Sequence, residues 1–156
     1  MERSFRWANS NDHRALGEVM FDAVRNGQSL YSESQRQAWV PEPRCGQAWS
    51  DRLSQQDIIV AETAARIVGF MSLATDGYID FAYIRPEAQH TGLFRQMLER
   101  IQDRGRSRGY EALWVHASLM AQPAFTAHGF TIKKREEVAI GTEHFERFEM
   151  EKSLPA

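Results

Sequence analysis

The apolar positions of this chain follow two periods, and the switches between them mark out its elements. Phe5-Arg6-Trp7-Ala8 alternates, as a short strand does. Ser10, Asn11 and Asp12 are helix-capping residues, and Leu16, Val19, Met20, Ala23 and Val24 then recur at helical spacing until Asn26-Gly27. A second helix is predicted from about Ser32 to Trp39, stopping before Pro41. Pro41 to Gly46 reads as a loop, and Trp49 and Leu53 as a short helical turn. The apolar runs Ile58–Ala61 and Ile67–Leu73 lie close enough for a hairpin, and Tyr78–Ile84 adds a strand between Asp76-Gly77 and Pro86. The clearest helix follows: Leu93, Phe94, Met97, Leu98 and Ile101 form its apolar stripe, opposite Arg95, Gln96, Glu99, Arg100 and Asp103. Leu113-Trp114-Val115 reads as a buried strand and Pro123–Ala127 as a short helix closed by His128-Gly129. Two charged, alternating strands end the pattern, Phe130–Ile140 and His144–Lys152, around Gly141-Thr142.

The resulting order, β-α-α-β-β-β-α-β-α-β-β, predicts an α/β fold with a mixed sheet and helices on both faces. No repeat or linker interrupts it, so residues 1–156 are read as one domain. The composition is that of a globular protein, 42% hydrophobic and 26% charged. A formal net charge of −2 supplies no basic field for a nucleic-acid backbone. Cys45 is the only cysteine, so no disulfide forms within the chain, which favours a reducing, cytoplasmic setting. Met1–Arg6 lacks the apolar core of a secretory leader, and no apolar run approaches the roughly 20 residues that span a bilayer.

The segment that carries chemistry is Ile84-Arg85-Pro86-Glu87-Ala88-Gln89-His90-Thr91-Gly92-Leu93-Phe94, which joins a strand to the start of the best helix. The first N–H groups of a helix have no partner inside it, and the helix dipole makes that end positive. Gly92 lets the backbone approach an anion closely, and a pyrophosphate is the natural ligand. On these grounds alone, an anion site and a plain turn both remain open.

Gln89-His90-Thr91-Gly92-Leu93-Phe94 resembles the Q/R-x-x-G-x-G/A pyrophosphate loop of the GNAT acetyltransferases. Ala117-Ser118-Leu119-Met120-Ala121 stands where that family has Asn-x-x-Ala, and Phe125-Thr126-Ala127-His128-Gly129-Phe130 where it has Tyr-x-x-x-Gly-Phe. Ile67-Val68-Gly69-Phe70 is similar to its third strand, and the element order extends the likeness over nearly the whole chain. The resemblance implies a mostly antiparallel GNAT sheet and transfer of acetyl from acetyl-coenzyme A to a small-molecule or peptide amine, with no metal. It places the pyrophosphate on the loop that Gln89 opens, against the amides of His90, Thr91, Gly92, Leu93, Phe94 and Arg95, with a charge contact from Arg95. The pantetheine arm is expected along Ala82, Tyr83 and Ile84, where a backbone N–H would stabilise the developing oxyanion.

Three positions depart from that pattern. Phe94 replaces a small residue: from the apolar stripe it either turns inward and leaves the loop amides free, or faces the ligand and crowds the phosphates. Ser118 replaces the asparagine that contacts the coenzyme. Phe125 replaces the tyrosine that commonly protonates the thiolate, and a phenyl ring has no proton to give. An alkylamine with a pKa of about 10 must lose a proton before attack. Asp80 is the first candidate base, because aspartate in mid-strand needs a reason and alternation puts residues 78, 80, 82 and 84 on one face. Tyr83 follows as acid or substrate contact, His116 as proton relay and Glu62 through water. Tyr31, Trp39 and Trp49 near Glu33 and Glu42 would suit a cationic amine, with Trp39 the more core-like of the two tryptophans. His128 reads as a helix cap, and Cys45 as an inert thiol. The competing reading is a non-catalytic acyl-coenzyme A-binding module, and exposed strand edges permit a homodimer.

Overall fold

The computed structural model describes residues 2–155. In chain order the elements are β1 (Ser4–Trp7), α1 (His13–Asn26), α2 (Glu33–Trp39), α3 (Gln47–Ser54), β2 (Asp57–Glu62), β3 (Ile67–Leu73), β4 (Tyr78–Ile84), α4 (Leu93–Ser107), β5 (Ala112–Ser118), α5 (Gln122–Ala127), β6 (Thr131–Ile140) and β7 (Glu143–Ser153). The seven strands form one sheet in the order β1-β2-β3-β4-β5-β7-β6. Every neighbouring pair is antiparallel except β4 and β5, which the α4 crossover makes parallel. The mixed α/β architecture therefore matches the expected one.

The central strands read as unbroken apolar runs because helices cover both of their faces. Ile59 and Ala61 join Met71 and Ile79 under Leu93, Met97, Leu98 and Ile101 of α4. Ile58 and Val60 point the other way, with Phe70 and Phe81, under Leu16, Val19 and Met20 of α1. Ser32 caps α2 by accepting from the Gln35 amide, while the Gln35 side chain returns to the Ser32 amide.

Two features differ from the sequence expectation. The helical turn near Trp49 is a full two-turn helix, α3, and its start is hard to see because Gly46 leaves it without a side-chain cap. More consequentially, β4 does not keep one alternation. Met71 faces Ala82, but Leu73 faces Ile79, so Asp80 is an extra residue and β4 is bulged there. The Phe81 amide donates to Ser72 Oγ at 2.9 Å in place of a ladder bond. The bulge reverses the alternation. Ala82 and Ile84 pack on the α4 side, whereas Phe81 and Tyr83 pack on the α1 side. Residues 78, 80, 82 and 84 thus do not share a face. No described helix is long and apolar enough to cross a membrane.

The loop before α3 is seated on α1 by a close backbone contact. A Cβ added at Gly17 would lie 1.9 Å from the Arg44 carbonyl oxygen. That neighbour is backbone and cannot rotate away. Gly17→Ala is therefore expected to destabilise the protein by about 1–3 kcal/mol despite the better helix propensity of alanine, as read by urea denaturation. A variant as stable as the parent would show that the contact is loose.

Candidate active site

The site lies where β4 and β5 part. Their parallel pairing is confined to Tyr78 with Trp114 and Ile79 with Val115. Beyond it both strands run on, to Ile84 and Ser118, without each other. The Arg85 amide bonds the Val68 carbonyl at 2.8 Å, so by the antiparallel alternation Tyr83 turns its backbone groups to β3. Ala82 and Ile84 then present theirs to the gap. Gln89 Nε2 closes one of these groups by donating to the Ile84 carbonyl at 3.0 Å, which ties the loop to the strand.

The loop after β4 leads into α4 through two left-handed residues, His90 (φ 61°) and Gly92 (φ 82°). The first amide of this corner with a backbone acceptor is that of Gln96, which bonds the Gly92 carbonyl. The six amides of residues 90–95 donate to no group among the described residues. Consecutive free N–H groups at the start of a fifteen-residue helix form a strong anion cradle. Arg3 holds it in shape, binding Thr91 Oγ1 at 2.9 Å, the Thr91 carbonyl at 2.8 Å and Gln96 Oε1. Sequence reasoning missed Arg3, which sits 88 residues from Thr91 and belongs to no motif.

Two cavities open from the gap. The first, of about 370 Å³, runs from the loop, with Gln89, His90, Gly92, Leu93 and Phe94, past Ala82 and Ile84 to Ser118. The second, of about 220 Å³, is lined by Tyr31, Tyr78, Asp80, His116 and Arg147 among others. Trp39, Tyr83 and Ser118 line both, so the two cavities meet there.

Around that junction, burial pushes the Tyr83 hydroxyl above the ordinary tyrosine range, so it keeps its proton at neutral pH. His116 Nδ1 lies 2.9 Å from the Tyr78 hydroxyl, and its Nε2 lies 3.6 Å from both Glu136 and Glu149. Burial, followed by the charge of Arg147, lowers the His116 pKa below its ordinary value near 6.5 and favours the neutral ring. Ser118 Oγ accepts from the Ala121 amide at 3.1 Å, leaving its proton to donate.

Several residues take other places than expected. Asp80 is not a free carboxylate: Arg52 binds both oxygens, at 2.6 and 2.9 Å, and Gln56 adds a third bond at 2.8 Å. Phe125 is 1% exposed and lines neither cavity; it packs edge-on to Phe94 and Phe130, with centroids 4.9 Å apart in each pair. Phe94 rests on Phe125 and the His128 ring, which draws its own ring off the loop. Arg95 is exposed beside Glu99, and Thr91 is engaged with Ala88 and Arg3; neither side chain lines the cavity. Glu62 pairs with Arg6, and Glu33 and Glu42 line neither cavity. The tryptophans are reversed. Trp49 is the core residue, bonded to the His13 carbonyl, and half-buried Trp39 is the wall of the site.

A bulged strand splayed from its parallel neighbour, beside a helix start with free amides, forms a cleft of unpaired main chain with an anion cradle at its rim. The acetyltransferase (GNAT) domain family matches residues 28–154. The chain is 30% identical over 142 residues to YafP, an uncharacterised N-acetyltransferase of Escherichia coli K12, covering 89% of this chain and 88% of that one. A GCN5-related N-acetyltransferase structure from Rhodopseudomonas palustris superposes with a TM-score of 0.88 at 25% identity, over 99% and 97% of the two chains. The PaiA N-acetyltransferase of Thermoplasma acidophilum, solved with coenzyme A, superposes at 0.74 and 18% identity over 98% and 99%. The chain belongs to the GNAT acetyltransferase family, and its class of activity is acetyl-coenzyme A-dependent N-acetyl transfer.

The packing of Phe125 sets an expectation for restoring the family's tyrosine. In Phe125→Tyr the new hydroxyl enters the apolar cluster that holds the Phe94 and Phe130 rings, which is expected to cost about 1–3 kcal/mol in urea denaturation. It brings no gain in turnover, because the side chain does not reach the cavity. A rise in kcat would show that the ring can swing into the gap.

Proposed function

We propose that the protein acetylates a primary amine by direct attack within a ternary complex. The observation that carries this reading is the meeting of two cavities at Trp39, Tyr83 and Ser118, one of them rimmed by free amides. On this reading the coenzyme pyrophosphate takes the amides of residues 90–95, and the pantetheine arm lies along the open edge of β4. The acceptor fills the second cavity. The coenzyme A of the Thermoplasma structure, and the acetyl-coenzyme A with which the Salmonella typhimurium acetyltransferase YncA was solved, support this direction.

The neutral amine attacks the thioester carbonyl, and an amide of β4 facing the gap, Ala82 or Ile84, stabilises the oxyanion. The nitrogen proton passes to the Tyr78 hydroxyl as Tyr78 hands its own to His116 Nδ1. Glu136 and Glu149 then balance the imidazolium. Asp80 serves position rather than proton transfer, since Arg52 and Gln56 engage both of its oxygens in three hydrogen bonds. Collapse of the intermediate breaks the carbon–sulfur bond, Tyr83 protonates the departing thiolate in place of the missing tyrosine, and solvent then returns a proton to Tyr83 and takes one from His116.

Calorimetry with acetyl-coenzyme A, followed by thiol-release assays on an amine panel, tests the reading. Selective micromolar binding with turnover supports it, binding without turnover on any amine indicates the non-catalytic module, and no binding at millimolar coenzyme overturns both. Tyr83→Phe is expected to lower kcat about 100-fold with acetyl-coenzyme A affinity unchanged. An unchanged kcat removes Tyr83 from the chemistry.

The pH profile of kcat tests His116 separately. A lowered pKa means that the ring stays neutral, and able to accept a proton, to a more acid pH than usual. The acid limb should therefore lie below pH 6.5, and His116→Gln should abolish it. A limb unmoved by that substitution assigns the base elsewhere.

A further inference from the structure

The second cavity is cationic. Its charged walls are Arg44, Arg52, Arg147 and Asp80. Asp80 is consumed by Arg52, and Arg147 is neutralised by Glu136 at 2.7 Å. Arg44 pairs with no carboxylate among the described residues. Its guanidinium carbon stands 6.0 Å from the centre of the Trp49 ring, and its backbone is seated against Gly17. Trp39, Phe81 and Phe145 add an apolar stretch beside the polar Tyr78, His116 and Ser118, and a charge facing that stretch is strengthened. No free carboxylate lines the cavity to hold an ammonium group, contrary to the cationic-amine pocket that the sequence suggested.

From this arrangement, and resting on the transferase reading above, we propose that the acceptor is a small amine bearing its own carboxylate or similar oxyanion, which Arg44 receives. A guanidinium without a counter-ion is a fork for a planar oxyanion. The charge of Arg44 is felt at the Tyr83 hydroxyl, at the cavity junction where the amine must react. Amine and anion therefore lie within one small molecule. A cavity of about 220 Å³ suits a molecule of amino-acid size and falls below the roughly 300–1,000 Å³ of drug-sized sites. A polycationic amine would bring its extra charges against an already positive wall.

The test is a thiol-release assay on matched pairs, free amino acids against their carboxamides, with polyamines as a third group. Wild-type protein is expected to prefer the carboxylate member by about 10- to 100-fold in kcat/KM. Arg44→Gln should erase that preference, and Arg44→Lys should keep part of it. Acetyl-coenzyme A titration of each variant checks the fold, since Arg44 does not line the donor cavity. Equal or better use of carboxamides or polyamines by wild type overturns this proposal while leaving the transferase reading intact. So does a preference that survives Arg44→Gln. Coenzyme binding without turnover in all three groups overturns both.

Discussion

The structure depends on how briefly β4 and β5 pair. Two adjacent strands inside a covered sheet would ordinarily share a full ladder, because buried N–H and C=O groups need partners. Here the ladder is two residues long. The bulge at Asp80 bends β4 just where it leaves its neighbour, and local groups pin that bend. Ser72 Oγ takes the Phe81 amide, while Arg52 and Gln56 hold the Asp80 carboxylate. What remains open is the β5-facing edge of β4 at Ala82 and Ile84, which no protein strand satisfies. An extended ligand with amide groups of its own suits such an edge, and the free amides of the following loop continue the opening toward an anion. On the reading proposed above, both halves of the donor site thus come from main chain that the fold leaves unpaired.

The substitutions at Phe94 and Phe125 look like two separate departures when the family's motifs are compared one at a time. In space they are one unit, since the rings meet edge to edge. A large residue at position 94 needs somewhere to go other than the phosphate loop, and the apolar ring at position 125 provides it. A tyrosine facing the cavity from position 125 would withdraw that support. The loss of the expected acid and the tolerance of a bulky loop residue therefore have a single packing cause. On the reading proposed above, the proton donor comes instead from the opposite wall, where Tyr83 stands at the cavity junction.

Periodic apolar runs and glycine-marked corners made most elements and the anion loop legible, because those signals are local. The missed features are not local. A single inserted residue in β4 inverts the faces of Phe81 to Ile84, and nothing in Tyr78–Ile84 announces it except the odd aspartate. An aspartate in mid-strand is unusual, and its reason is the bulge and the pairing with Arg52, 28 residues away. Trp39 and Trp49 cannot be ranked from their neighbours alone. Trp49 is buried because its indole N–H finds the His13 carbonyl across α1, and Trp39 lines the site because α2 lies beside Tyr31, Tyr83 and Phe145. Arg3 and Arg44 lie outside the catalytic motifs, and only the fold shows what they face.

Net charge illustrates the same limit. A chain of formal charge −2 lacks the field to hold a polyanion, yet its arginines are sorted rather than averaged. Arg6 and Arg85 are neutralised inside the fold by Asp12 and Asp22, and Arg104 and Arg108 share Asp57. On the reading proposed above, the two substrates meet positive potential of different kinds. Loop amides hold the donor phosphates as neutral dipoles, which water satisfies when the site is empty and which accept any oxyanion of suitable shape. A guanidinium without a counter-ion carries a full charge beside aromatic rings, so it discriminates by charge. The first arrangement suits a carrier common to every turnover, and the second suits the partner that has to be chosen.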